Sequence, residues 1–244
     1  MKTIDINCDL GEGIENEELL MPYVSSCNIA CGGHYGDENT IRKTIELALI
    51  NKVKIGAHPS FPDTENFGRK IIDISFEDLK ESIKSQLNLM MEQLDVYQMK
   101  LHHIKAHGAL YNLIAKDTET ANVYLDAIEE YAKNSYLFVP YNSVIEKLAK
   151  ERNFKVKYEA FADRSYKNDL SLVERANEKA LLTDSKSVFN HVMHMIQNNA
   201  VRTIENTEVP IVVDTFCIHG DNKNAFIILN ELTSLLKRQN IKIA

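Results

Sequence analysis

The sequence predicts an α/β barrel of the TIM-barrel type, closed or nearly closed. Three observations point there. Short β-rich runs alternate with helical periodicities along the whole chain, several of those runs are polar on one face, and residues of catalytic type gather directly after the runs. Parallel strands need crossover connections, which repeated strand–helix units supply. An open doubly wound sheet competes, but its strands are usually apolar on both faces.

The first run, TIDINC (3–8), alternates Ile4, Ile6 and Cys8 with Asp5, Asn7 and, just beyond it, Asp9, so the polar set shares one side. SSCNIA (25–30) precedes a helix over about 37–51, where Ile41, Ile45, Ala48 and Leu49 form a core-facing stripe. VKIGA (53–57) leads to a helix over 75–96 opened by Ser75, with Asp78 three residues on. LHHIKA (101–106) carries the alternation through His103, Lys105 and His107, and Asp117 caps a helix over 117–134. YLFVP (136–140) is followed by a helix over 141–152, and KVKYEAF (155–161) sets Glu159, Phe161 and Asp163 on one face. ALLT (180–183) reads as a further strand before a helix over 185–199. The last strand, PIVVDTFCIH (210–219), aligns Val213, Thr215, Cys217 and His219 ahead of a helix over 222–239. Polar faces repeated on separate strands imply one shared, water-accessible lumen into which Lys105 and His107 point. No linker or low-complexity segment interrupts this pattern, so residues 1–244 are expected to form a single domain.

Composition narrows the function. The chain is 44% hydrophobic and 26% charged, with a formal net charge of −7 and no basic stripe, which argues against nucleic acid. Cys8, Cys27, Cys31 and Cys217 are too few for a disulfide framework, and Cys27 and Cys31 lack the second pair of a zinc pattern; both read as packing residues. Asp5 and Asp9 break any apolar leader at the amino end, and no apolar run has membrane-spanning length. A cytoplasmic location is expected.

The chemistry sits in the loops after the strands: CDLGEG (8–13), NIACGGHYGD (28–37), GAHPSFPD (56–63), KAHGALYN (105–112), EAFADRSY (159–166) and CIHGD (217–221). In α/β barrels the active site lies at the carboxyl ends of the strands. Asp9, Glu12, Asp163 and Asp221 offer bases or metal ligands, and His34, His58, His107 and His219 titrate near neutrality and shuttle protons. Lys105 and Arg164 suit a carboxylate or an oxyanion, and Asn28 suits an amide contact to ligand. The glycines at 11, 13, 32, 33, 56, 108 and 220 fit sharp turns after strands. No GxSxG elbow and no phosphate-binding Gly-Lys-Ser/Thr loop occurs. Blander readings stand beside these. Asp9 pairs with Lys105 structurally, Asp37 and Asp221 are helix caps, His102 is a bystander, and His191 and His194 lie on a helix surface.

Taken together, IDINCDLGEG, MPYVSSCNIACGGHYGD, IGAHPSFPD, FGRK, KAHGALYN, EAFADRSY and CIHGD resemble the LamB/YcsF family of 5-oxoprolinase components, in order over residues 4–221. The resemblance implies a distorted seven-stranded α/β barrel, in the broad superfamily of certain polysaccharide deacetylases and glycoside hydrolases. It further implies ATP-dependent opening of 5-oxo-L-proline to L-glutamate together with partner subunits B and C, with ATP and magnesium as cofactor. Ala106 stands where the family usually carries proline before the His-Gly pair.

On this reading the lactam carboxylate is held by Lys105 or Arg164, with Glu12, Asn28, His34, Tyr111, Asp163 and Asp221 as further substrate contacts. Phosphorylation by ATP activates the lactam oxygen, and water attacks the carbonyl carbon with Asp9, His107 or His219 as base and His58 as acid. Two alternatives remain open. One is a stand-alone metal-dependent hydrolase of deacetylase type, with the rim histidines, Asp9 and Glu12 on zinc or manganese. The other is a ligand-binding subunit without catalysis.

Overall fold

The computed structural model describes residues 2–244. Seven parallel strands close on themselves: β1 (Lys2–Leu10), β2 (Ser26–Ala30), β3 (Lys54–His58), β4 (His103–Ile104), β5 (Tyr136–Pro140), β6 (Lys155–Phe161) and, after an intervening antiparallel hairpin, β9 (Thr215–His219). β9 pairs with both β6 and β1, which completes the ring. The hairpin is β7 (Ala200–Arg202) with β8 (Glu208–Pro210), and β10 (Ile241–Ile243) adds a parallel pairing at the start of β1. The closed barrel, not the open sheet, is therefore the architecture.

Helices α1 (Glu17–Leu20), α2 (Glu38–Asn51), α3 (Phe76–Val96), α4 (Gly108–Ile114), α5 (Thr118–Ala132), α6 (Val144–Glu151), α7 (Ser185–Asn198) and α8 (Ala225–Arg238) surround the strands. Local chemistry sets their starts. Asp37, Ser75, Asp117, Ser143 and Asp184 each accept a hydrogen bond from the backbone N–H three residues on, worth about 1 kcal/mol apiece. Their apolar faces are buried: α3 alone hides Leu79, Ile83, Leu87, Met90 and Leu94. Cys27 and Cys31 are free thiols packed in this core, as expected. Among the described residues no helix is long and apolar enough to cross a membrane.

Several sequence expectations are corrected. ALLT is no strand: Leu181 makes one isolated antiparallel bridge to Arg164, within a loop that covers the barrel mouth. The run 210–219 is broken, because residues 211–214 leave β8 before β9 begins, so Val213 lies outside the strand face. α4 has neither a capping side chain nor much length, and its existence follows from tertiary contacts. Nor is the lumen an open channel. Asp5 accepts bonds from Ser25 (3.0 Å), Ser26 (2.7 Å) and Thr215 (2.6 Å), and Asn7 donates to Thr215 at 2.8 Å. Polar side chains fill the lower barrel and satisfy one another, as buried polar groups must. Only the upper end opens.

Gly56 lies within β3 rather than in a turn, and a Cβ there would run into the His103 ring. His103 in turn donates from Nε2 to Asn28 Oδ1 at 2.6 Å and stacks on Phe138 at 3.9 Å. The glycine makes room for a buried imidazole in the barrel centre. Gly108 has φ +55 and a Cβ there would meet the Gly68 carbonyl, so only glycine starts α4 against that loop.

Candidate active site

Register explains why the charged groups meet. Asp9 lies opposite Asn28 on β2 and His219 on β9, while His58 closes β3. Lys105 and His107 follow β4, and Glu159 and Phe161 end β6. These rungs share the carboxyl end of the barrel, where a cavity of about 770 Å³ is lined by Asp9, Glu12, His58, Lys105, His107, Tyr111, Glu159, Arg164, His219 and Asp221, among others. Asn28, His34 and Asp163 stand behind this wall and act on the residues that form it.

Asp9 is the centre of the network. Its Oδ1 accepts from Asn28 Nδ2 at 2.7 Å and from Lys105 Nζ at 2.8 Å, so Asn28 orients a carboxylate instead of touching ligand. The Lys105 ammonium also lies 3.0 Å from Glu159 Oε1 and 3.1 Å from Cys217 Sγ. Burial disfavours both charges. For Asp9 the opposing pull of His58 and Lys105 prevails and holds the carboxyl well below the usual range. For Lys105 the attraction of Asp9, Cys217 and Glu159 keeps the ammonium charged well above its usual range. This lysine is fully committed inside the protein.

The histidines divide into two groups. His219 Nδ1 lies 2.9 Å from Asp163 Oδ1, and Asp163 also accepts from the His219 N–H at 3.3 Å and from Asn222 at 3.2 Å. An acceptor-only carboxylate fixes the proton on Nδ1 and leaves Nε2 as the free nitrogen of a ring that stacks on Phe161 at 5.0 Å. His58 Nδ1 and His107 Nε2 instead donate to the carbonyls of Lys105 (2.9 Å) and Phe67 (3.0 Å). That leaves His58 Nε2 and His107 Nδ1 facing each other at 3.0 Å, with Glu12 Oε1 at 3.3 Å from the latter. His34 Nε2 bonds Glu12 at 3.1 Å, and its ring stacks on His107 at 3.6 Å. Burial, reinforced by the Asp9 charge, raises Glu12 to about 7, and burial lowers His34 to about 3 and pulls His107 well down. The donor atoms of Glu12, His34 and His107 all lie within 4.8 Å of one another, so this corner offers metal-ligand chemistry.

Among the described residues two cavity groups have no hydrogen-bond partner: the Tyr111 hydroxyl and the Glu159 carboxylate oxygens, the latter held only by charge from Lys105. Such orphans suit a small polar ligand carrying both a donor and acceptors. Arg164 is tied to the carbonyls of Val173 (2.7 Å) and Ala180 and stitches the covering loop together. Asp221 does not cap α8; it is ion-paired with Arg69 and Arg175 at the cavity mouth. Glu159, Arg69 and Arg175 join the site without being singled out by the sequence. Glu159 is visible on the polar face of its strand and Arg69 in FGRK, whereas Arg175 belongs to a stretch with no pattern. His191 and His194 are half-buried, not on the surface, and the His191 ring packs on Tyr166 at 6.0 Å.

Fold and site together define a closed α/β barrel with a buried, acid- and imidazole-lined cavity at its carboxyl end. The chain belongs to the LamB/YcsF family, whose model matches residues 4–244. It is 37% identical to the first of the 5-oxoprolinase subunits, the A component, of Staphylococcus aureus strain JH9 over 98% of both chains, and equally to that of strain Newman. The crystal structure of the lactam utilization protein from Thermus thermophilus superposes with a TM-score of 0.92 at 31% identity, covering 100% of this chain and 99% of that one.

Proposed function

We propose that this chain is the hydrolytic barrel subunit of an ATP-dependent 5-oxoprolinase, which opens the lactam of 5-oxo-L-proline to L-glutamate with subunits B and C. The names of its relatives suggest the substrate. The observation that carries the chemistry is the His219–Asp163 pair beside a cavity whose Tyr111 and Glu159 groups await partners.

In the reaction a water oxygen bonds to the lactam carbonyl carbon, the carbon–nitrogen bond breaks, and the departing nitrogen takes up a proton. His219 Nε2 accepts the proton from water and returns one to the nitrogen, while Asp163 keeps the ring in one tautomer and stabilises the imidazolium. His219 suits this role better than His58, whose only ring hydrogen is held by a carbonyl. Glu159 accepts from the lactam N–H and Tyr111 donates to the substrate carboxylate or carbonyl, displacing the expected Lys105 and Arg164 as carboxylate clamps.

ATP serves as the energy source because a five-membered lactam is an unreactive amide. The inner wall does not fit a triphosphate. Asp9, Glu12 and Glu159 face it with Lys105 already committed, and Arg69 and Arg175 are paired with Asp221. Nucleotide and its magnesium are accordingly placed on the partner subunits, and no step here passes through them.

Asp9→Asn and His107→Gln test the reading. Each is expected to remove ATP-dependent glutamate release in the three-subunit mixture while circular dichroism stays native. Near-normal turnover in either folded variant removes that residue from the mechanism.

A further inference from the structure

Four acceptor atoms converge at the floor of the cavity without a hydrogen to share. His58 Nε2 and His107 Nδ1 stand 3.0 Å apart, and each neutral ring has already spent its N–H on a backbone carbonyl. Glu12 Oε1 lies 3.3 Å from His107 Nδ1 and 4.0 Å from His58 Nε2. Asp9 Oδ2 lies 3.5 Å from His58 Nε2, while the other Asp9 oxygen is taken by Asn28 and Lys105. Lone pairs held this close repel unless a cation sits among them.

Charge and spacing agree. Asp9, Glu12 and Glu159 carry three negative charges against the single ammonium of Lys105, an excess that one divalent ion neutralises. Donors at 2.0–2.1 Å from a tetrahedral zinc-type ion stand about 3.3 Å apart, close to the separations found here. The His58 and His107 rings meet edge to face at 86°, so their in-plane lone pairs can share one point. His34 cannot join them, because it lies parallel to His107, 3° from coplanar at 3.6 Å, and its lone pairs run alongside. Its place is to hold Glu12 at 3.1 Å. The carbonyls on His58 and His107 play the same orienting part, an arrangement typical of metal-bound imidazoles.

We infer that Asp9, Glu12, His58 and His107 form a binding site for one divalent transition-metal ion of the zinc class. Mixed imidazole and carboxylate donors favour zinc, cobalt or manganese over magnesium or calcium, which prefer oxygen alone. Bound there, such an ion polarises a carbonyl oxygen or acidifies a water. That catalytic meaning rests on the hydrolytic reading above, whereas the site itself is tested without substrate.

The experiment strips purified protein with chelator, dialyses it against Zn²⁺ or Co²⁺, and reads bound metal by elemental analysis and the cobalt visible spectrum. One equivalent per chain and intense tetrahedral-type cobalt bands are expected. His58→Gln and Glu12→Gln should bind at least about tenfold more weakly, with His102→Gln, outside the set, retaining one equivalent. Folded wild-type protein that takes up no ion in excess metal, or unchanged affinity in both folded variants, overturns the inference. If the variants do not fold, the wild-type spectrum decides: weak octahedral, water-like bands count against the site. Metal uptake without any action on 5-oxoproline would leave the site standing and remove only the substrate assignment.

Discussion

At the level of single residues, the two ion-paired carboxylates of the site make different predictions. Burial works against the Asp163 carboxylate, but the charge of His219 and the bonds from His219 and Asn222 hold its pKa below the usual value. A depressed folded pKa contributes stability that is present above the unfolded value, near 4, and is lost as pH falls through the folded one. Asp163→Asn should therefore flatten the acid limb of a melting-temperature-versus-pH curve below about pH 4. The same variant should cost about 10²- to 10⁴-fold in kcat, because the ring of His219 loses its fixed tautomer. Lys105→Met tests the other pair. It strands Asp9 and Glu159 in a buried site, and losing one partner of such a pair costs about 3–5 kcal/mol. Denaturant titration checks this, and a melt like that of the unsubstituted protein would show that water reaches the two carboxylates.

Among the elements, β3 and α3 are the most exposed to test. Gly56→Ala puts a methyl group against the His103 ring, and that ring supports Asn28 and, through it, Asp9. Overpacking of this kind costs about 1–3 kcal/mol, and chemical denaturation should find a loss of that size. Leu87 is wholly buried on α3, so Leu87→Ala should cost about 2–5 kcal/mol without altering metal uptake or turnover of the folded fraction. Helix starts are legible because a capping Asp or Ser announces itself locally, as at Asp37, Ser75 and Asp117. α4 is not, since its start at Gly108 is dictated by the neighbouring Gly68 carbonyl. The covering loop misleads for the same reason: the apolar run Ala180–Leu182 looks like a strand, yet its Ala180 carbonyl serves Arg164 and Ser165 instead of a sheet.

For the molecule as a whole, the alternating polar faces of β1, β4, β6 and β9 foretell a shared interior, and the loop motifs foretell which end is reactive. What they cannot convey is pairing. That Lys105 is consumed by Asp9 and Glu159, that Asn28 serves Asp9, and that Asp221 meets Arg69 and Arg175 depends on contacts between strands and loops far apart in the chain. Periodicity identifies a face; only closure of the ring decides which charges neutralise each other. The central claim is that this barrel supplies the hydrolytic site of a lactam-opening assembly, and reconstitution tests it most directly. Glutamate release from 5-oxoproline and ATP is measured with subunits B and C plus either this chain, its Asp163→Asn variant, or no barrel subunit. Release only with the unsubstituted chain is the predicted result, and equal release from B and C without it would contradict the account.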